Sequence, residues 1–163
     1  MIDIEQESTK PVFAILVGRT DDRSLSDEDT VHELASLADT AGLTVAGCVV
    51  LRRFEPAPKF GMGAGKAEEI AAFAREHDAE QIVFDFEIAP TQQRNWDKLT
   101  DKICLDRQEL IIRIFAARAL TREAVLQIDL ARLEYSLPRL AHSYESLSRQ
   151  RGGRFGTKGS GET

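Results

Sequence analysis

The sequence predicts an α/β fold, in which a small four-stranded parallel sheet with flanking helices is followed by one long helix. Three observations predict it: four apolar runs alternate with helical patterns, the runs are continuous as in strands buried on both faces, and the apolar spacing becomes a heptad repeat after Thr121. Strands that alternate with helices form parallel sheets with right-handed crossovers. We expect an α/β subdomain at residues 1–120 and the long helix with a basic, glycine-rich tip loop at residues 121–163.

The four predicted strands are short and rich in β-branched residues. They are PVFAILVG at 11–18, LTVAGCVVL at 43–51, QIVFDF at 81–86 and KICLD at 102–106. Parallel pairing places their carboxyl ends along one edge of the sheet, which is where ligands of open α/β folds tend to bind.

The first two predicted helices follow the first two strands. Ser26 is the predicted N-cap of the first helix, acidic residues fill its first turn, and Gly42 ends it at the C′ position. Its sheet-facing residues are Val31, Leu34 and Ala38. The second helix begins after Gly65, and the residues spaced along one side of it are Ile70, Phe73, Ala74 and His77.

The third and fourth predicted helices have clear start signals. Pro90 suits the first position of a short helix that ends near Leu99, and Trp96 is its predicted packing residue. Asp106 and Glu109 form a capping pair at the start of the fourth helix. The predicted apolar face of that helix is Leu110, Ile111, Ile114 and Phe115.

A heptad seam runs through the long helix. Its members are Leu126, Leu130, Leu133, Leu137, Leu140, Tyr144 and Leu147. A helix of about 27 residues is roughly 40 Å long, and Pro138 predicts a kink or a local break in it. A seam needs a partner, so either the chain is part of a longer protein that supplies an antiparallel return helix, or a second copy covers Leu126–Leu147 in a homodimer. We favour the first alternative.

The composition is that of a soluble globular protein, with 42% hydrophobic residues, 29% charged residues and a net charge of −6. No apolar run approaches the length of a membrane span, and the polar N-terminus argues against a secretory signal, so we expect a cytoplasmic protein. Cys48 and Cys104 each lie in an apolar run, which predicts buried free thiols. Two isolated cysteines and three scattered histidines predict no metal site.

A glycine-rich turn precedes the second helix and is a candidate phosphate site. Glycines followed by a lysine at a helix N-terminus can present N–H groups and positive charge to an anion. The spacing does not fit a P-loop, however, because Phe60 and Ala67 occupy the positions of its first glycine and its Ser/Thr. A tight turn that lets the helix pack is the favoured alternative. The residues of the less favoured nucleotide site are Gly61, Gly63, Gly65 and Lys66.

Catalytic residues are not evident. The sequence contains no nucleophile elbow, and no histidine lies in a triad context. Asp85 and Glu87 follow the third strand and could bind a metal, but acids at strand ends more often cap backbone groups or face solvent. We therefore predict no catalytic residue, no metal and no cofactor in this chain.

The basic stretch at the end of the chain is the strongest candidate site. Four cations and no acid occur between residues 149 and 158, which is typical of a surface that binds nucleic-acid phosphates. Glycines allow close backbone approach, and Phe155 offers a surface for an unstacked RNA base. A solvated, functionless terminus is the alternative, but the long helix would hold the stretch in position, which favours binding. The predicted RNA-binding residues are Arg149, Gln150, Arg151, Gly152, Gly153, Arg154, Phe155, Gly156, Thr157 and Lys158.

Four segments make the chain resemble the N-terminal region of HflX-type ribosome-associated GTPases. They are GAGKAEEI, APTQQRN, DRQELIIRIFAARALTREAVLQIDLARLEYSLPRL and SRQRGGRFGTKGSGET, of which the last two are long and specific. The chain departs from the family pattern at Ser160, where proline is usual, and by one additional residue near Arg154 and Phe155. The family fold is similar to the predicted one, with two long antiparallel helices after the α/β subdomain.

The resemblance implies a protein that binds the large ribosomal subunit and its rRNA through the tip loop, and that splits or rescues stalled ribosomes, notably under stress. GTP hydrolysis, with GTP and Mg²⁺, would reside in a GTPase domain in cis, since this sequence has no G-x-x-x-x-G-K-[ST] segment. Nucleotide binding, including ATP, is also attributed to the family's N-terminal domain, which makes Gly61–Lys66 the segment to test. The alternatives are a small nucleotide-binding regulatory domain and a homodimerising structural domain.

Overall fold

The computed structural model describes residues 10–155, and the side chains of residues 10–140. Within this range, strands and helices alternate in the predicted order and a long helix follows. The strands are β1 (Val12–Arg19), β2 (Leu43–Leu51), β3 (Gln81–Phe84) and β4 (Ile103–Asp106). The helices are α1 (Asp27–Thr40), α2 (Ala64–Glu76), α3 (Pro90–Thr100), α4 (Arg107–Arg118) and α5 (Arg122–Phe155).

The sheet has the order β2-β1-β3-β4, and all of its strand pairs are parallel. The predicted fold class is therefore confirmed. The chain steps from β1 outward to β2 and then crosses back to β3 on the other side of β1, so the direction of winding reverses between β1 and β3. The carboxyl ends of the strands lie along one edge, which we call the carboxyl edge. A register shift between Ala14 and Ile15 leaves one additional β2 residue, Ala46, in a bulge.

Two apolar cores lie on opposite faces of the sheet. One is formed by inward residues of β1 and β3 with α2 and α3, and Trp96 lies within it. The other is formed by the opposite side chains of the same strands with α1 and α4. Because both faces are covered, Ile15, Leu16, Ile82 and Val83 are all fully buried, which accounts for the continuous apolar runs of the central strands.

The predicted signals for α1 are confirmed. Ser26 is the N-cap, and its hydroxyl accepts a hydrogen bond from the Asp29 N–H at 3.0 Å. Gly42 follows the C-cap with a positive φ of 83°, a conformation that favours glycine. The predicted sheet-facing residues Val31, Leu34 and Ala38 are buried.

The apolar side of α2 differs from the predicted one. Its buried residues are Ala67, Ile70, Ala71 and Ala74, whereas Phe73 is only partly buried and His77 is exposed. The Phe73 ring lies over Gly47 of β2, where a Cβ atom would be 3.0 Å from ring carbons. The His77 ring stacks against Phe73, with 4.0 Å between the ring centroids. These two side chains cover the rim of the sheet rather than its centre.

Two other predictions of burial are wrong in part. Leu110 and Ile114 of α4 are buried, but Phe115 is 60% exposed because only the line of Leu110 and Ile114 faces the sheet. Both cysteines are free thiols as predicted, yet only Cys104 is buried. Cys48 is half-buried because it lies in the edge strand β2.

The predicted packing role of Trp96 is confirmed. The side chain is fully buried, and its indole Nε1–H donates to the Phe60 carbonyl oxygen at 2.9 Å. Its ring also contacts those of Phe60 and Phe84, with centroid separations of 5.4 and 4.9 Å. Trp96 thereby fixes the loop before α2 to α3. Among the described residues, no helix is both long enough and apolar enough to span a bilayer.

Replacement of Trp96 by Phe should destabilise the fold. The substitution leaves the Phe60 carbonyl oxygen without its buried donor and opens a small void, so we expect the free energy of unfolding to fall by about 2–3 kcal/mol. Urea unfolding followed by circular dichroism measures this loss. The exposed Phe115→Leu variant is the control and should stay within about 0.5 kcal/mol of the wild type. A loss for Trp96→Phe no larger than the control's would contradict this packing.

The two thiols should differ in reactivity. Burial raises the pKa of Cys104 to about 12, so its reactive thiolate is scarce in the folded protein near pH 8. Burial also raises the pKa of Cys48, but that thiol retains solvent access. With a thiol-specific chromogenic disulfide at pH 8, we expect one thiol to react in the native state and the second only in denaturant. Cys104→Ala should abolish the second phase; fast reaction of both native thiols would refute the assignment.

Candidate nucleic-acid interface

The predicted RNA-binding stretch begins inside α5. The backbone is helical through Phe155, so the segment from Arg149 to Phe155 forms the last turns of the helix. Gly156, Thr157 and Lys158 lie outside the described residues, as do the side chains from Ala141 onward. The tip loop was predicted to begin at Arg149, and for residues 149–155 that prediction is wrong.

The helix α5 continues through two glycines near a cluster of positive charges. Gly152 and Gly153 each disfavour a helix by about 1 kcal/mol relative to alanine. Arg149, Arg151 and Arg154 lie near the carboxyl end of α5, where positive charge interacts favourably with the helix dipole. The helix also continues across Pro138 without the break that was one of two predicted outcomes there.

The leucine face of α5 does not pack against the α/β subdomain. Its described seam members are each more than half exposed: Leu126, Leu130, Leu133, Leu137 and Leu140. Tyr144 and Leu147, the remaining predicted members, belong to the part whose side chains are not described. The seam is therefore available to a partner helix over the described length of the helix.

A second face of α5 contacts the subdomain instead. Its half-buried residues follow their own heptad-like spacing: Ala124, Ile128, Ala131, Tyr135 and Arg139. This face packs against α4 and α3. The last two residues of the series are polar, and they make the hydrogen bonds that join α5 to the carboxyl edge of the sheet.

Arg139 is the centre of this attachment. Its guanidinium donates from Nη2 to the Ile88 carbonyl oxygen at 2.8 Å and from Nε to Gln93 Oε1 at 2.6 Å. Nη1 donates to the Tyr135 carbonyl oxygen at 3.0 Å, and the guanidinium carbon lies 3.5 Å from the Tyr135 ring centroid. Gln93 in turn donates to the Cys104 carbonyl oxygen at 2.7 Å. Arg139 thus joins α5 to α3, and through Gln93 to β4.

Asp106 lies beneath Arg139 and is 1% exposed. Its Oδ2 accepts from the Ile88 N–H at 3.3 Å and pairs with Arg139 Nη2 at 3.5 Å. Its Oδ1 accepts from the Glu109 N–H, which caps α4, and from the Tyr135 hydroxyl, both at 3.1 Å. Burial, followed by the charges of Asp106 and Glu109, raises the pKa of Tyr135 well above its usual range, so the phenol remains a donor. We call Asp106, Tyr135 and Arg139 the helix anchor.

The anchor lies well before the basic end of α5. The helix continues about 16 residues beyond Arg139, which is about 24 Å at the α-helical rise. The described contacts between α5 and the α/β subdomain thus come from the first part of the helix. A helix fixed near its middle can carry charge to a distant surface in a defined direction.

The residues of the candidate nucleotide site lie in the turn before α2 and in the first turn of that helix. Gly61 has a positive φ of 79° and lies against Gln92, whereas nothing lies within 4 Å of a Cβ at Gly63 or Gly65. Lys66 is paired with Glu69 at 3.0 Å. The N-cap of α2 is Gly63, which makes no side-chain capping bond. Gly61 thus lies in the loop before α2, whereas Gly65 and Lys66 lie in the first turn of the helix.

The strand-end acids do not converge on a metal site. Asp85 accepts a hydrogen bond from Arg107 Nη1 at 3.0 Å, and Arg107 also pairs with Glu33. Glu87 is exposed. Within residues 10–140, no group of three or more His, Cys, Asp or Glu side chains could hold a metal ion.

The prediction from sequence missed Tyr135 and Arg139 and identified Asp106 only as a cap. The leucine seam is the stronger apolar signal in α5, and polar residues outside it are typical of a solvated face. The signal that could have found the anchor is a second series of apolar and aromatic residues in α5: Ala124, Ile128, Ala131 and Tyr135. Such a series indicates a second contact face on the same helix.

Two family models match the chain. The model described as GTP-binding GTPase N-terminal matches residues 28–116, and the one described as GTP-binding GTPase Middle Region matches residues 118–163. Together they cover the α/β subdomain from α1 onward and all of α5. The first match alone covers more than half of the chain.

Curated relatives give the same assignment. The chain is 40% identical over 155 residues to GTPase HflX of Akkermansia muciniphila, 41% over 162 residues to that of Spirochaeta thermophila and 38% over 144 residues to that of Escherichia coli. These alignments cover 94%, 99% and 88% of this chain, but 36%, 38% and 33% of the respective relatives. The chain therefore spans about a third of the length of these proteins.

Solved structures share the fold. A complex of SsGBP with GDP superposes with a TM-score of 0.63 at 25% identity, over 89% of this chain and 41% of the other. A GTP-binding protein from Sulfolobus solfataricus in complex with GDP gives a TM-score of 0.62 at 24% identity, over 88% and 43%. The second likeness supports the fold alone. The family models and the curated relatives together show that the chain belongs to the HflX-type GTP-binding GTPases and corresponds to their N-terminal and middle regions.

Proposed function

We propose that this chain is the rRNA-docking N-terminal module of an HflX-type GTPase. In this proposal it binds the large ribosomal subunit through the end of α5 and takes part in splitting or rescuing ribosomes in the cytoplasm. GTP hydrolysis, with GTP and Mg²⁺, belongs to the remainder of such a protein. The observation that carries the proposal is α5 itself, a 34-residue helix that is anchored near its middle and ends in a cluster of cations.

The distribution of charge supports the basic end as the RNA contact. Among the described residues of the α/β subdomain, four cations form salt bridges with its own acids: Arg52, Lys66, Arg107 and Arg113. The stretch from Arg149 to Lys158 has no acidic residue within it. Unpaired cations release counterions when they meet phosphates, and this release drives association with RNA. The chain has a net charge of −6, and the cations proposed to bind RNA are clustered near its end, outside the acidic α/β subdomain.

The action of the module is mechanical rather than chemical. The anchor attaches α5 to the carboxyl edge, and the helix continues about 16 residues beyond Arg139 to its basic end. Rigid attachment matters because a positioned loop loses less conformational entropy on binding than a free one. We propose an α/β subdomain at residues 1–120 that supports a helical arm at residues 121–163, whose tip contacts rRNA.

Nucleotide binding at the glycine turn remains the alternative with a small-molecule ligand. The glycine N-cap of α2 lacks a side-chain partner, which suits an anion at a helix N-terminus. The pairing of Lys66 with Glu69 opposes it. Calorimetry with ATP and with GTP decides the matter: absence of heat, or equal binding by Lys66→Ala, removes this alternative.

A homodimer is the structural alternative, and the open leucine face favours some helical partner. An antiparallel return helix of the same protein and a second copy of the chain would bury the same residues. Sedimentation equilibrium separates the two. A chain that stays monomeric at all concentrations excludes the homodimer.

Loss of the tail cations should abolish ribosome binding. We expect the fourfold variant Arg149→Ala, Arg151→Ala, Arg154→Ala, Lys158→Ala to lose retention on isolated large subunits in a pelleting assay. If about four phosphates are contacted, the wild-type logarithmic salt slope should be near −3 for single-stranded RNA.

The matched control removes four exposed cations of the subdomain: Lys10, Arg53, Arg75 and Lys98. It changes the net charge by the same amount and should bind within about twofold of the wild type. Unchanged retention of the tail variant, or equal losses in both variants, would contradict the assignment of the tip.

A further inference from the structure

Two parts of the carboxyl edge of the sheet differ in what covers them. Near the ends of β3 and β4, the helix anchor lies over Ile88 and Asp106, beside a cavity of about 310 Å³. At the end of β1, a cavity of about 400 Å³ opens to solvent. It lies where the winding of the sheet reverses between β1 and β3, the position at which open α/β sheets bind their ligands.

Arg19 is the distinctive group of this cavity. Its guanidinium carbon lies 4.8 Å from the centroid of the Phe54 ring and 5.3 Å from that of Phe86. The two rings contact each other, with centroids 5.6 Å apart. Arg19 is nevertheless exposed, so the stacked guanidinium keeps area that a ligand can reach.

The charge of Arg19 is not neutralised by the fold. Across residues 10–140, no carboxylate forms a salt bridge with its guanidinium. Glu87 also lines the cavity and is exposed. A planar cation held against two aromatic rings, with free N–H donors, suits a ligand that has both a flat aromatic surface and an anionic group.

Hydrogen bonds within the protein fix the rim of the cavity. Gln92 donates to the Pro58 carbonyl oxygen at 3.3 Å and accepts from the Ala89 N–H at 3.0 Å. The Gly61 N–H donates to the Ala57 carbonyl oxygen at 2.9 Å. These bonds fix the loop after β2 against α3. A preformed cleft of this kind binds with a small ordering cost.

We propose that this cleft, formed around Arg19, Phe54 and Phe86, is a stacking site for one unpaired nucleotide of a single-stranded RNA. The base stacks on the guanidinium–phenyl group and the N–H donors of Arg19 contact the adjoining phosphate. An inorganic anion would leave the rings unused, and an apolar ligand would leave the guanidinium without a partner. The inference rests on the proposed function and adds a second RNA contact, on the α/β subdomain, to the one at the tip.

The test is a fluorescence titration of the chain with a six-nucleotide RNA that carries 2-aminopurine at a central position, because stacking changes the emission of this base. Base stacking on a side chain contributes about 1–3 kcal/mol, so Arg19→Ala and Phe54→Leu should each weaken binding by about tenfold. Arg19→Lys should weaken it nearly as much, because lysine keeps the charge but has no planar face. Arg53→Ala removes one exposed cation of the same loop and should stay within twofold.

The tail variant with four alanines separates this site from the tip. The tail variant should still change the 2-aminopurine fluorescence, even if it no longer binds the large subunit. The proposal for the cleft and the proposal for the tip can therefore fail independently. Unlabelled hexamer and AMP are then compared as competitors of the labelled RNA. Competition by the hexamer at a lower concentration than AMP shows that the cleft binds an RNA strand. Equal competition shows that it binds a free nucleotide instead. Wild-type affinity in both Arg19→Ala and Arg19→Lys, or loss of the signal in the tail variant, would overturn the cleft.

Discussion

The buried carboxylate of Asp106 is the interaction on which the arrangement of this molecule depends. It ends β4, caps α4 through the Glu109 N–H and accepts hydrogen bonds from Tyr135 and the Ile88 N–H, while Arg139 neutralises its charge. A carboxylate that is 1% exposed requires such partners, because burial of an unsatisfied charge is very costly. The same requirement therefore determines where α5 attaches, since two of the partners belong to that helix.

This attachment determines which parts of the carboxyl edge and of α5 remain exposed. The carboxyl edge, which binds small ligands in many open α/β proteins, is covered by Arg139 near Ile88 and Asp106, and a cavity opens around Arg19. On α5, the face that contains Ala124, Ile128, Ala131, Tyr135 and Arg139 contacts the subdomain, and the leucine face is exposed. A helix with two contact faces can join a compact subdomain to a second helix.

Most of the fold could be predicted because its signals are local. Ser26 and Gly42 act within a single turn, and continuous apolar runs report strands covered on both faces. The anchor could not, because it depends on the distance in space between Asp106 and Arg139, 33 residues apart in the chain. The prediction of a loop for residues 149–155 was wrong, because α5 continues through Phe155 although glycine disfavours a helix.

The central claim is that the anchor gives α5 one direction relative to the sheet. Pulsed electron–electron spin resonance between labels at positions 68 on α2 and 148 on α5 tests it, in a background with Cys48→Ser and Cys104→Ala. We expect one narrow distance distribution for the parent, a much broader one for Arg139→Ala, and no broadening for Leu133→Ala on the open face. A distribution as broad in the parent as in Arg139→Ala, or equally narrow in both, would contradict the account.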